Sequence, residues 1–120
     1  MRTLRHCMTD LGSVRTLVDA GRYLDAIEML NSVPTRRQDK SSVEVLRAEL
    51  LERTGMYAQA ADLAGRLLRS SHIVGSQRSA CECVIGLVQW DAGDLNSGIS
   101  HFQRAVVQAE AAKEIGRAHV

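Results

Sequence analysis

Aromatic residues are almost absent from this chain of 120 residues, where one Trp, two Tyr and one Phe make up 3% against an apolar content of 45%. A core with so few rings must be filled by Leu, Val and Ala, a composition suited to close-set helices, and strand formers are nowhere clustered. Charge of one sign is lacking too. The 15 basic and 14 acidic residues nearly cancel, leaving +1, so nothing electrostatic favours direct binding to nucleic acid or to an anionic membrane. The cysteines, Cys7, Cys81 and Cys83, are few and odd in number. That argues against a secreted disulfide framework and for a reducing compartment, the cytoplasm.

Long apolar runs are missing as well. The longest, Val84 to Val88, is interrupted by Gly86 and falls far short of the roughly 20 residues of a membrane span. Arg2, Arg5 and His6 lead to Asp10 and Gly12 with no apolar stretch between, which is not the pattern of a signal peptide. No glycine-rich phosphate loop, nucleophile elbow or zinc signature occurs. Cys81 and Cys83, two apart on an expected helix, point to different sides and read as small buried hydrophobes rather than as ligands of one metal ion. His6, His72, His101 and His119 have no partner at catalytic spacing, and His101, beside Phe102, is expected to face solvent. No catalytic, metal or cofactor-binding residue is assigned, and the chain is expected not to be an enzyme and to need no cofactor.

What is present is a repeated corner. Asp19-Ala20-Gly21-Arg22-Tyr23-Leu24-Asp25-Ala26-Ile27 returns as Thr54-Gly55-Met56-Tyr57-Ala58-Gln59-Ala60-Ala61 and again as Ala92-Gly93-Asp94-Leu95-Asn96-Ser97-Gly98-Ile99. Each places a large residue two after the glycine and a small residue five after it. The spacings, 34 from Gly21 to Gly55 and 38 from Gly55 to Gly93, fall in the range of helix-turn-helix repeats. Hydrophobic periodicity supplies the helices around these corners. The first runs from about Thr9 to Asp19 with Leu11, Val14, Leu17 and Val18 on one face, and the second carries Tyr23, Ala26, Ile27, Leu30 and Val33 until Pro34 stops it. Thr35 to Lys40 is a polar link. Ser41 or Ser42 is the expected cap of a third helix with Val43, Leu46, Leu50 and Leu51, and the fourth holds Tyr57, Ala60, Ala61, Ala64, Leu67 and Leu68. A fifth, near Ser76 to Asp91, is the most apolar. The sixth, after Gly93 and Asp94, carries Leu95, Ile99, Phe102, Ala105, Val106 and Ala109 through Ala112.

From about Thr9 to Ala112 these residues resemble the tetratricopeptide repeat family, whose repeats are pairs of antiparallel helices, A and B. Gly21, Tyr23 and Ala26 with Leu30 match its corner and helix B best, followed by Gly55, Tyr57, Ala60 and Ala64, then Gly93, Leu95, Gly98 and Phe102. Val14, Ala48 and Gly86 fall where its helix A takes a small residue. The chain departs from the family in lacking the helix A tryptophan and in having no Pro after the second and third repeats. The resemblance implies an all-α fold, a right-handed α-solenoid of about three repeats at about 9–40, 41–75 and 76–114. Small residues at Ala26, Ala60 and Gly98 then let helix B lie against helix A, while Tyr23, Tyr57 and Leu95 fill the wedge between hairpins.

By the same resemblance, helix A residues line a concave groove for a peptide or helix of a protein partner. Those positions are Leu11, Arg15, Val18 and Asp19, then Val45, Glu49, Glu52 and Arg53, then Cys83, Leu87, Trp90 and Asp91. Leu11, Arg15, Val45, Glu49, Glu52, Arg53, Leu87, Trp90 and Asp91 are the candidate partner-binding residues, with Trp90 either an exposed anchor or a packing residue. Chaperone-binding members of the family grip a peptide carboxylate with Lys and Asn, and the pairs here, Leu11 with Arg15, Val45 with Glu49 and Cys83 with Leu87, do not supply that clamp. The expected function is a noncatalytic interaction scaffold. The alternative is a sensory or regulatory arm of a larger bacterial signalling protein, such as a transcriptional regulator. A further hairpin is due after the sixth helix, so the chain reads as the N-terminal part of a longer protein with more repeats or domains downstream. Ile115-Gly116-Arg117-Ala118-His119-Val120 spells one frame of a widely used sequencing adapter, and these six residues are expected to be non-biological.

The register can be tested by overpacking. Ala26→Leu or Ala60→Leu is expected to destabilise the chain by roughly 1 to 3 kcal/mol in thermal or urea melts, and an unchanged melting curve would contradict the proposed helix pairing.

Overall fold

The computed structural model describes residues 11–33 and 40–118. The expected start at Thr9, the link of residues 34–39, and Cys7, His6 and His119 lie outside the described residues. Six helices and no strand form within them: α1 (Leu11–Asp19), α2 (Tyr23–Ser32), α3 (Lys40–Arg53), α4 (Tyr57–Arg69), α5 (Gly75–Asp91) and α6 (Leu95–Ala118). The fold is all-α. No helix among the described residues is long and apolar enough to cross a membrane.

The three corners are built alike. Gly21, Gly55 and Gly93 have φ of +76°, +84° and +88°, the left-handed region that a side chain strains to enter. Each glycine N–H donates to the carbonyl three residues back, and the next residue donates to the carbonyl five back: Arg22 to Leu17 at 2.9 Å, Met56 to Leu51 at 2.8 Å, Asp94 to Gln89 at 2.9 Å. This closes the last turn of one helix with the bonding of a Schellman motif. The carbonyl of that same following residue then opens the next helix, accepting from the N–H of Ala26, Ala60 or Gly98. One residue thus ends one helix and begins another, so the three hairpins share one turn geometry. Only the third corner has a side-chain cap, Asp94 Oδ1 accepting from the Ser97 N–H at 3.3 Å.

Two apolar clusters hold the hairpins together, and α3 belongs to both. Its Val43, Leu46 and Leu50 join Val14, Ala26 and Leu30, while its Val45 and Ala48 join Ala60, Leu63, Ala64, Ile73, Cys81 and Val84. Helix α3 is therefore buried on two sides, and the stripe that periodicity assigns to it, Val43, Leu46, Leu50 and Leu51, leaves out the buried Val45 and Ala48. Arg47 of α3 also donates to Asn31 Oδ1 of α2. Helix α5 packs against α3, α4 and α6. Arg78 of α5 ties it to the end of α4, donating to the carbonyls of Leu68 at 2.8 Å and Ser70 at 3.4 Å.

Helices α5 and α6 run antiparallel, with partner numbers descending as α5 ascends. Ser79 Oγ donates to the Ala105 carbonyl at 2.8 Å, Glu82 meets His101 at 3.3 Å, and Gly86 faces Gly98. The backbones approach there because both residues lack Cβ. A Cβ on Gly86 would lie 2.7 Å from the Phe102 ring and 3.2 Å from the Gly98 carbonyl, and one on Gly98 would lie 3.1 Å from the Gly86 carbonyl. Two glycines that weaken their helices by propensity are what let the helices touch.

Several expectations are corrected. Helix α3 already includes Lys40, so Ser41 and Ser42 sit in its first turn and neither is its cap; Ser42 Oγ instead accepts from Gln77 Nε2 at 3.4 Å. Tyr57 and Leu95 are 41% and 47% exposed and do not fill wedges as Tyr23 does. Tyr57 feels the carboxylate of Asp91, and no described helix covers Leu95. His101 is not a solvent-facing histidine, since its side chain is only 18% exposed and pairs with Glu82. Helix α6 does not stop near Ala112 but continues to Ala118, so no further helix begins within the described residues.

The contact at Gly86 predicts opposite outcomes for two glycines. Gly65→Ala in α4, where an added Cβ would meet only Arg69 Nη1 at 3.6 Å, is expected to stabilise by up to about 1 kcal/mol. Gly86→Ala is expected to destabilise by roughly 1 to 3 kcal/mol despite the same gain in propensity. Chemical denaturation of both variants checks the pair, and a stabilising Gly86→Ala would sink the close approach.

Candidate functional site

The corner register decides which helix residues come together. Arg15 and Glu49 each stand six residues before their corner glycine, and Leu11 and Val45 stand ten before. Arg15 of α1, Ser42, Val45 and Glu49 of α3, and Ser76, Gln77 and Ala80 of α5 line one open cavity of ≈ 360 Å³. Val45 is buried and forms an apolar floor, with Arg15 and Glu49 beside it. Gln77 is held from two sides, its Oε1 accepting from the Val74 N–H at 2.9 Å and its Nε2 donating to Ser42. One wall of the cavity is thereby fixed across α3 and α5.

Burial pushes the Glu49 carboxyl above its ordinary range, outweighing the opposing fields of Arg15 and Arg53. A half-buried carboxylate between two guanidinium groups is a hydrogen-bond acceptor with incomplete compensation. Toward the corners the charges continue. Glu52, 9% exposed, is also raised by burial, partly offset by Arg53, whose Nε lies 3.7 Å from it, and reinforced by Asp91 of the next hairpin. The Arg53 guanidinium sits 5.7 Å from the centre of the Tyr23 ring, and the charge of the Asp91 carboxylate near Tyr57 raises that phenol. Each tyrosine two after one corner glycine thus meets the residue two before the next.

The nine candidate residues therefore divide. Arg15, Val45 and Glu49 share the cavity, and Glu52, Arg53 and Asp91 form a charged row at its corner end. Leu11 does not line the cavity but packs against the first core cluster. Leu87 is half-buried on α5, outside the cavity lining. Trp90 has both characters weighed for it: its ring centre is 6.4 Å from that of Phe102, yet it remains 46% exposed. Ser42, Ser76, Gln77 and Ala80 belong to the cavity and were not singled out by the repeat pattern. Ser42 and Val45, three apart, share a helix face, which was a legible signal; the placement of Ser76 and Gln77 depends on how α5 crosses α3.

A larger open cavity of ≈ 480 Å³ beside α5 and α6 is lined by Arg78, Glu82 and Arg104 among others. Its charges are already engaged, Arg78 by the α4 carbonyls and Glu82 by His101. Cys81 is buried, and its thiol is pushed up to about 11 by burial and by the carboxylates of Glu49 and Glu82, so it stays protonated near neutral pH. Among the described residues no three of His, Cys, Asp and Glu gather as a set for a metal ion.

The raised Glu49 gives a pH-dependent expectation. Its folded proton affinity exceeds that of the unfolded chain, so the charged form costs stability as pH rises through the folded value and above it. Glu49→Gln is expected to be more stable than the parent in urea melts near about pH 7, with the advantage shrinking as pH falls through the ordinary glutamate range; a difference independent of pH would contradict the burial of the charge. Compared with known proteins, the chain matches no family model and no curated sequence.

Proposed function

We propose that this chain is a noncatalytic interaction scaffold, a right-handed α-solenoid of three tetratricopeptide-like repeats that holds a peptide or helix of another protein against α1, α3 and α5. The observation carrying this reading is the convergence of Arg15, Val45 and Glu49 with Gln77 on one open cavity, contributed by all three hairpins. A guest segment places an apolar side chain over Val45, an acidic group toward Arg15 and a donor toward Glu49. Partly exposed charges of this kind confer selectivity more than affinity, and the guest's own apolar side chain supplies most of the burial, Val45 being buried already. The corners along one edge leave the groove open for a segment to lie across the hairpins.

The test is a peptide selected by phage display on the immobilised chain and then measured by calorimetry. Arg15→Glu and Glu49→Lys are each expected to weaken it at least about tenfold, or about 1.4 kcal/mol, with helicity unchanged by circular dichroism. Selected peptides that bind both variants as tightly as the parent would count against the groove.

A further inference from the structure

The larger cavity, beside α5 and α6, is independent of that groove. Three helices line its ≈ 480 Å³: Leu68 comes from α4, Arg78 and Glu82 from α5, and Arg104 and Val107 from α6. That is room for a small molecule. Arg78 and Glu82, four apart, share one face of α5 yet are held by different partners. The Arg78 guanidinium is anchored on the carbonyls of Leu68 and Ser70, which use two of its five N–H groups. It is a positive charge fixed in place, with donors to spare.

Glu82 is 8% exposed, and its Oε2 lies 3.3 Å from His101 Nδ1. Its other oxygen, Oε1, has no hydrogen-bond partner among the described residues. Arg104 Nη1 approaches the same ring atom, at 3.5 Å. One nitrogen cannot serve both neighbours. A carboxylate only accepts, so Nδ1 carries the hydrogen toward Glu82 and has no lone pair left for Arg104. Arg104 is exposed and has no acceptor besides that nitrogen among the described residues. The cavity thus presents one carboxylate oxygen lacking a donor and one guanidinium lacking an acceptor. Because both groups lie within 3.5 Å of a single atom, one small ligand reaches both.

This pairing selects the ligand by charge. A simple anion would satisfy Arg104 and meet the Glu82 carboxylate unpaired; a simple cation would satisfy Glu82 and meet two guanidinium groups. A molecule bearing both charges one carbon apart avoids either cost. Leu68 and Val107 add an apolar part to the lining. We propose that this cavity binds a free α-amino acid with an aliphatic side chain, its ammonium on Glu82 Oε1, its carboxylate on Arg104 and its side chain against Leu68 and Val107.

The probes are L-leucine, N-acetyl-L-leucine, which keeps only the negative charge, and L-leucinamide, which keeps only the positive one. Each is titrated into the intact ¹⁵N-labelled chain. L-leucine is expected to give saturable amide shifts at Glu82, Arg104 and Val107, and both blocked derivatives to bind at least about tenfold more weakly. Arg104→Gln and Glu82→Gln are expected to weaken L-leucine by a similar factor, while Arg15→Glu leaves its binding unchanged. Glu82→Gln disturbs the contact with His101, so the exposed Arg104→Gln, with an unchanged circular dichroism melt, separates lost binding from lost folding. Absence of saturable shifts with L-leucine overturns the proposal. So does N-acetyl-L-leucine or L-leucinamide binding as tightly as L-leucine, or Arg104→Gln binding it like the parent. Loss of the peptide groove leaves these titrations untouched, so the two readings fail separately.

Discussion

Everything in this molecule depends on three backbone positions held at positive φ. Gly21, Gly55 and Gly93 close one helix and place the next at the same offset each time, with the 6→1 hydrogen bond completing the turn. A corner of fixed geometry makes sequence distance from the glycine a spatial coordinate. In the first two hairpins the residue two after it reaches toward the next hairpin, the residue five after it is fully buried, and the residue six before it lines the cavity. Tyr23 meeting Arg53 and Tyr57 meeting Asp91 express this rule in side chains. The chemistry of the two pairs differs, one a ring beneath a guanidinium and the other a phenol on a carboxylate, while their position does not.

The second organising feature is how little side-chain volume separates the helices. Val14, Ala26, Ala48 and Ala60 are fully buried, and the third hairpin goes further with Gly86 against Gly98. Close approach substitutes for the large aromatic core that four rings cannot supply, since dispersion falls steeply with separation. It also concentrates burial on α3, which is apolar toward both neighbours. A helix with two buried faces has only a narrow remaining face for polar groups, and Glu49 and Glu52 are consequently drawn into partial burial with raised proton affinities. The charged character of the candidate groove and the thinness of the core thus have a common cause.

The two ends of the stack are unlike. At α1 the positions that α3 and α5 use for docking are Gly12 and Thr16, with the Thr16 hydroxyl donating to its own helix's Gly12 carbonyl at 3.0 Å. At α6 the exposed residues Leu95, Ile99 and Val106 are apolar. The candidate cavity is built on placed charges and the α6 surface on an apolar stripe.

By itself the sequence determined the helices and their pairing into hairpins. Glycines spaced 34 and 38 apart, each followed by a small residue five on, specify corners through local backbone sterics, and periodicity locates the apolar faces. The family resemblance also named Arg15, Val45 and Glu49 for a groove, together with Leu11 and Leu87, which the cavity leaves out. Tertiary structure alone decided the rest. The two-sided burial of α3 erases any single stripe, Gly86 and Gly98 are explained only when their helices are set face to face, and His101 becomes a partner of Glu82 through an approach between residues 19 apart. Ser76 and Gln77 enter the cavity because of the way α5 crosses α3, and Tyr57 stays exposed because its partner is a carboxylate at the hairpin edge rather than a wedge between helices. Local sterics act within a few residues and are written in the sequence order. Which surfaces meet across hairpins depends on the distance and angle between helices, and those follow from the packing of all the side chains together.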